Sequence, residues 1–235
     1  LAQTLTADGS SLPVKSDAAF LQTPQRSADD NLYDDQQEAV IIYPDIKPGV
    51  VTEQILVEED LAPRMPGQFS LLNVFAGSWP AQQLRLVVEM PAAMAARLKV
   101  TPLGNVPEAE RTDCPGGRVR FTWDARNNRR IAPEPARPLL SQTGPCIFLT
   151  TLASWDEFMD WYWPQVKPQL VPGETLCRKI DEWTAGTASR DAVIATLLTR
   201  ASDDVRYTGL EFADGDLVPR PVSTTWENQY GDCKD

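Results

Sequence analysis

Gly231-Asp232-Cys233 has the physical character of a nucleophile turn. Glycine lets the chain turn tightly and lets a substrate approach the backbone closely. A helix beginning at Cys233 would favour the thiolate through its free amides and dipole. The Cys233 amide could also point at a developing oxyanion. A thiolate needs a partner that shuttles its proton, usually a histidine held by a carboxylate or amide. The 235 residues contain no histidine. No Ser-His-Asp triad, Cys-His pair or His-ligated metal can therefore be completed within them. Any chemistry here uses other side chains or finishes on residues outside this sequence.

The other cysteines are Cys114, Cys146 and Cys177. None forms a C-x-x-C pair, so no zinc site and no metal or cofactor is expected. Cys114 and Cys146 both occupy loop or strand-edge positions, and in an exported protein a Cys114–Cys146 disulfide is a reasonable expectation. Two unpaired thiols in a reducing compartment are the alternative. Cys177, beside Leu176 and Ile180 in a helical pattern, is expected to be buried packing. Arg206 and Tyr207 are open to two readings: substrate contacts, or strand core with a salt bridge to a carboxylate. Trp226 either shields a site from water or packs its helix. Trp155, Trp161, Tyr162 and Trp163 read as core or interface packing before they read as an aromatic platform. Asp29, Asp30, Asp34 and Asp35 read as a solvated loop face, since a calcium site needs a tighter ligand set and a glycine turn. No spacing supports a paired-carboxylate glycosidase.

These groups need elements to hold them. Residues up to about 150 read as short strands. Glu38 to Tyr43 is a β-branched run closed by Pro44, and Val50 to Glu58 alternates with apolar points at Val51, Ile55 and Val57. Leu84, Leu86 and Val88 alternate up to Pro91. Val119, Phe121 and Trp123 face one way, with Arg118, Arg120 and Thr122 on the other. Turn signals such as Lys47-Pro48-Gly49 and Pro66-Gly67 separate them and predict an antiparallel β-sandwich. Only Ala92 to Leu98 offers a helical period there. From Ser154 the period changes. Ser154 and Glu157 form a capping box, with Trp155, Phe158, Met159 and Tyr162 on one helical face that Pro164 and Pro168 bring to an end. A second helix holds Leu176, Ile180 and Trp183 and ends near Gly186. A third holds Ala192, Val193, Leu197 and Leu198. A strand, Val205 to Phe212, follows with no predicted partner. The Gly215 turn, Pro219 and Pro221 lead to a second possible capping box, Thr224-x-x-Glu227. The order implies two domains, 1–150 (with 1–11 as a loose lead-in) and 151–235, the second incomplete and cut shortly after Cys233.

The net charge of −11 opposes nucleic-acid binding, which relies on Lys and Arg against phosphates. Apolar residues are 42% and charged residues 23% of the chain, as in soluble globular proteins. No stretch approaches the ~20 apolar residues of a membrane span. The chain starts at Leu1 without a remaining signal-peptide pattern. Removal of such a peptide upstream would make the protein exported, periplasmic or extracellular, and that is the expectation.

Val205-Arg206-Tyr207-Thr208-Gly209-Leu210-Glu211-Phe212, then Pro219, then Tyr230-Gly231-Asp232-Cys233-Lys234-Asp235 resembles the nucleophile region of bacterial transglutaminase-like proteins. The upstream half resembles the β-sandwich domain of unknown function that precedes that core in bacteria. The marks are Tyr33-Asp34-Asp35, Tyr43-Pro44 with Gly49, Pro66-Gly67-Gln68-Phe69-Ser70, and Trp123 with Asn127. Thr150 to Trp155, with Trp161-Tyr162, matches the junction. The resemblance runs from about 30 to 235. It implies a papain-like α+β core, truncated here, with a Cys-His-Asp triad. Cys233 takes the nucleophile position and Gly231 and Asp232 the turn before it, while the His and Asp lie beyond this sequence. Pro221 in the segment Arg220 to Trp226 departs from the pattern and unsettles the helix onset there.

The implied reaction is acyl transfer or amide hydrolysis on peptide or protein amides through a Cys233 thioester, with no cofactor. This chain alone, lacking histidine, is expected to be inactive. The alternative is a non-catalytic cell-envelope binding or scaffold protein that uses its sandwich.

Overall fold

In a computed structural model the described residues are 1–24, 33–34, 37–211 and 217–235. In chain order the elements are β1 (Ala2–Leu5), β2 (Ser11–Pro13), β3 (Ala19–Gln22), β4 (Tyr33–Asp34), β5 (Glu38–Ile41), β6 (Val51–Gln54), β7 (Ser70–Val74) and β8 (Ala81–Pro91). Then come α1 (Ala92–Ala95), β9 (Lys99–Leu103), β10 (Glu110–Cys114), β11 (Arg118–Asn128), α2 (Leu140–Thr143), β12 (Cys146–Thr150), α3 (Trp155–Val166) and α4 (Glu174–Thr184). The last are α5 (Arg190–Asp204), β13 (Arg206–Tyr207), β14 (Leu210–Glu211), α6 (Val222–Asn228) and β15 (Tyr230–Gly231). The strands are mostly paired antiparallel and the helices few, so the chain is β-rich through its N-terminal part. Backbone contacts divide it into two compact units, Ala62–Trp161 and Leu1–Leu61 together with Tyr162–Asp235.

Unit Ala62–Trp161 contains two three-stranded antiparallel sheets, β10-β11-β8 and β7-β12-β9. Strand alternation sends every second side chain inward. On β11, Val119 and Trp123 are buried and Phe121 half-buried, while Arg118 and Arg120 reach out to Glu89. Both sheets feed one core: Val88, Met90, Trp123 and Ala125 from the first, Ile147 and Leu149 from the second, with Phe75 after β7. The antiparallel strands expected from the alternation are present here, in two sheets over one core.

The segment between β12 and α3 is tied down by polar groups. The Thr151 hydroxyl, on a nearly fully buried residue, donates to Gln68 Oε1 at 2.7 Å and accepts from the Phe69 amide at 2.8 Å. Gln68 Nε2 donates to Glu157 at 2.6 Å. The Ser154 hydroxyl accepts from the Glu157 amide at 3.2 Å, while the Glu157 carboxylate takes the Ala153 amide at 2.6 Å. The capping box thus forms with its return bond one residue upstream. Pro164, expected to end α3, lies inside it. Proline has no N–H to give the Asp160 carbonyl and its ring crowds that carbonyl, and the helix ends two residues later at Val166. The inward face also differs from expectation: Phe158, Trp161, Tyr162, Gln165 and Val166 are sheltered, whereas Trp155 is 81% exposed and Met159 is exposed.

In the other unit, β2-β1-β6 form an antiparallel sheet and β3 pairs antiparallel with β5. The buried Thr4 hydroxyl donates to the Pro44 carbonyl at 2.8 Å. The alternating stretch from Val50 ends as a strand at Gln54, and its apolar points Val51, Ile55 and Val57 are exposed rather than inward. Helices α4 and α5 pack together as the 3.6-residue period predicts, with Leu176 buried and Ser189 capping α5 through the Ala192 amide. Cys177, expected to be buried, is exposed: one residue on from Leu176 is 100° of helix rotation off the inward face. The strand expected over Val205 to Phe212 is two short strands, and both have partners. β13 pairs parallel with β15, and β14 pairs parallel with β4. Phe212, the Gly215 turn, Asp29, Asp30 and Asp35 lie outside the described residues, and Asp34 is described only as backbone. Among the described residues no helix is long and apolar enough to cross a membrane, and no acid or thiol cluster could hold a metal.

Candidate active site

The Gly231-Asp232-Cys233 turn is built from α6 onward. Pro221 occupies the N-cap of α6, so Thr224 falls inside the first turn and the expected Thr224-x-x-Glu227 box does not form. Gln229 ends α6 in the left-handed region at φ 56°, which redirects the chain into β15. There the Arg206 amide donates to the Gln229 carbonyl and the Thr208 amide to the Gly231 carbonyl, each at 2.9 Å. Two residues of parallel pairing are weak by themselves, so the turn after β15 needs further support.

That support is ionic. The Asp235 side chain is only 2% exposed and accepts from the Arg220 amide at 2.8 Å, Arg220 Nε at 3.1 Å and Arg220 Nη2 at 2.5 Å. It also accepts from the Asp232 amide at 3.1 Å. The Asp232 side chain, 5% exposed, turns the other way, accepts from the Lys234 amide at 3.0 Å and pairs with the Lys234 ammonium. Burial pushes the Asp235 carboxyl pKa up, but the Arg220 and Asp232 amides and the Arg220 guanidinium outweigh it and hold it below the usual carboxylate range.

The sign follows directly. The folded value lies below the unfolded value of about 3.9, so the clamp's contribution is complete above the unfolded value and is lost as pH falls through the folded one. Asp235→Asn is expected to give a shallower acid limb than wild type below about pH 4. Parallel limbs in acid titrations followed by circular dichroism would contradict this.

Cys233 and Lys234 form the turn itself, and the Cys233 thiol is exposed. These residues make a turn held by Asp232 and Asp235. The amides on either side of Cys233 are occupied, while the Cys233 amide has no acceptor among the described residues. A carbonyl oxygen arriving at the thiol would find that one donor unspent.

Beside the turn is a cavity of about 420 Å³ whose lining includes Leu176, Trp183, Val205, Trp226, Gly231 and Asp235. Trp183 and Trp226 meet edge to face at 5.0 Å, and the Arg200 guanidinium lies 5.8 Å from the Trp183 ring. Arg206, Tyr207 and Asp232 line the same cavity, but Cys233 does not. Tyr207 is 70% exposed and Arg206 is exposed, without a carboxylate partner among the described residues, so the reading of strand core with a salt bridge is corrected. Trp226 packs on α4 and also walls the cavity, combining its two readings.

The expected Cys114–Cys146 disulfide is absent. Both are free thiols, on strands of different sheets: Cys114 Sγ faces the Thr112 carbonyl and buried Cys146 the Ser141 carbonyl. The role of Arg220 escaped the sequence reading, since a pair fifteen residues apart carries no periodic signal. The one available hint was the acid closing Gly-Asp-Cys-Lys-Asp.

The family model described as "Domain of Unknown Function with solved-structure structure (DUF3857)" matches residues 2–131. The match covers more than half of the chain, and the chain belongs to that family. A solved structure described as a "putative protease" from Parabacteroides distasonis is similar with a TM-score of 0.69 at 14% identity, covering 98% of this chain and 45% of that one. At such identity the likeness is one of fold, and this chain spans less than half the length of that protein. No curated protein matches the chain.

Proposed function

We propose that residues 1–150 are a β-sandwich domain and 151–235 the beginning of a papain-like, transglutaminase-like core, in an exported bacterial protein. Its Cys233 thiolate attacks the carbonyl carbon of a peptide or protein amide. The C–N bond breaks, the amine leaves with a proton, and a thioester to Sγ remains. An amine or water then attacks the thioester and restores the thiol. The proton is shuttled by a histidine that this chain does not contain, oriented by an acid or amide, and no residue here is assigned to either role. The observation that carries the reading is the exposed Cys233 on a turn held by Asp232 and Asp235, with neighbouring amides occupied and its own amide unspent among the described residues. Fold likeness to a protein described as a protease is compatible with a peptide substrate.

In a complete protein, a thiol-directed electrophile such as an iodoacetamide dye is expected to label Cys233 first, and Cys233→Ala is expected to remove that fast phase. An undiminished fast phase in the variant would overturn the nucleophile role.

The second reading is a non-catalytic envelope-binding protein. It rests on the family match, which falls on residues 2–131 and stops short of Cys233. A histidine followed by Asp or Asn downstream of Asp235 favours the enzyme, and their absence favours the binding module.

A further inference from the structure

We infer that Arg220 is a positioning residue for the Cys233 turn, acting through Asp235; the inference rests on the nucleophile reading of Cys233. The geometry is specific. Arg220 grips Asp235 with its backbone amide and two guanidinium nitrogens, and the same carboxylate holds the Asp232 amide. One residue outside the motif thereby fixes the backbone on the N-terminal side of the thiol. The grip is further located from two directions. The Arg220 guanidinium lies 5.7 Å from the ring of Tyr230 on β15, and Pro219 just before it is buried.

The arrangement also sets local charge. Asp232 and Lys234 neutralise each other, and Asp235 is neutralised by Arg220. Without Arg220, an almost fully buried carboxylate two residues from Cys233 would stand uncompensated. A negative charge there opposes the thiolate, which is the reactive form. A fork that binds a carboxylate through two nitrogens is a geometry lysine cannot reproduce. Arg220 therefore does two things for the thiol: it holds the turn and it cancels the charge behind it.

Cys177 is exposed on α4 and provides an internal reference thiol within the same molecule. The test is the rate of iodoacetamide alkylation at pH 7, read by peptide mass at Cys233 and Cys177, in the complete protein as wild type, Arg220→Lys and Arg220→Met. Arg220→Met is expected to lower the Cys233/Cys177 rate ratio at least about fivefold, with Cys177 unchanged. Arg220→Lys, which keeps the charge without the fork, is expected to fall between. Simple loosening would do the opposite, raising Cys233 reactivity along with general accessibility. A ratio unchanged or raised in Arg220→Met, in protein with wild-type circular dichroism, overturns the proposal. If Arg220→Met does not fold, Arg220→Lys decides: a ratio equal to wild type overturns the claim for the fork. Equal rates at the two thiols in wild type overturn the nucleophile reading and the role of Arg220 with it. A fast wild-type Cys233 that stays fast in both variants removes only the role of Arg220.

Discussion

Trp123→Ala is expected to destabilise unit Ala62–Trp161 by about 3–5 kcal/mol, the range for truncating a fully buried aromatic. Trp123 is 1% exposed and sits in the core cluster with Val88 and Met90 of its own sheet and Ile147 and Leu149 of the opposing one. Its ring also stacks on Phe121 with centroids 6.1 Å apart. The effect should be large because Trp123 joins both layers. Its loss leaves a void that neither sheet closes without breaking the register of β11 on β8, which pairs Trp123 with Leu86. Urea unfolding followed by circular dichroism measures it. A loss under about 1 kcal/mol would mean that the two sheets do not share this core.

Gly231→Val is expected to be the most damaging small substitution in the Gly231–Asp235 turn. A Cβ built on Gly231 lies 2.9 Å from Asp235 Cβ and 2.9 Å from Thr225 Cγ2, closer than real Cβ atoms approach. Both neighbours are fixed, Asp235 by the Arg220 grip and Thr225 by its place in α6. Overpacking of this kind costs about 1–3 kcal/mol, and a branched side chain adds further atoms to the same space. The relief available is to push Asp235 away, which releases the Asp232 amide and the turn. The variant is expected to lose thermal stability and to expose the 217–235 segment to proteolysis, read by limited chymotrypsin digestion at Trp226 and Tyr230. Digestion identical to wild type would show that the close packing around Gly231 is not maintained in solution. Glycine is required here by the approach of neighbours, not by an unusual backbone angle.

Much of this was legible in the residues. The alternation of Val119, Phe121 and Trp123 gave the buried face of β11 because a strand has a fixed period of two. Ser154 and Glu157 marked the start of α3 through the chemistry of helix ends. Leu176, Ile180 and Trp183 marked α4. What was not legible depends on pairing at long range. Strands of two residues carry no period, so nothing in Arg206-Tyr207 announced Tyr230-Gly231 as a partner. Val51, Ile55 and Val57 alternate like a buried strand but lie exposed, since alternation states which residues share a face and not whether anything covers it. Cys114 and Cys146 were linked by similar loop settings, whereas they lie on β10 and β12 as free thiols. At the candidate site, Gly231, Asp232 and Cys233 stood out by type and order. Arg220 did not, because its importance comes from a fold that brings it back to Asp235.

The central claim is that Cys233 forms a thioester, and the most direct measurement is to trap it. A complete protein would be mixed with a glutamine-containing peptide, quenched in acid, and digested for peptide mass analysis. The peptide containing Cys233 is expected to gain the mass of the glutamine peptide less ammonia, to lose it on treatment with hydroxylamine, and to gain none in Cys233→Ala. Turnover of the peptide at an undiminished rate in Cys233→Ala, with no adduct on Cys233 in wild type, would contradict the account.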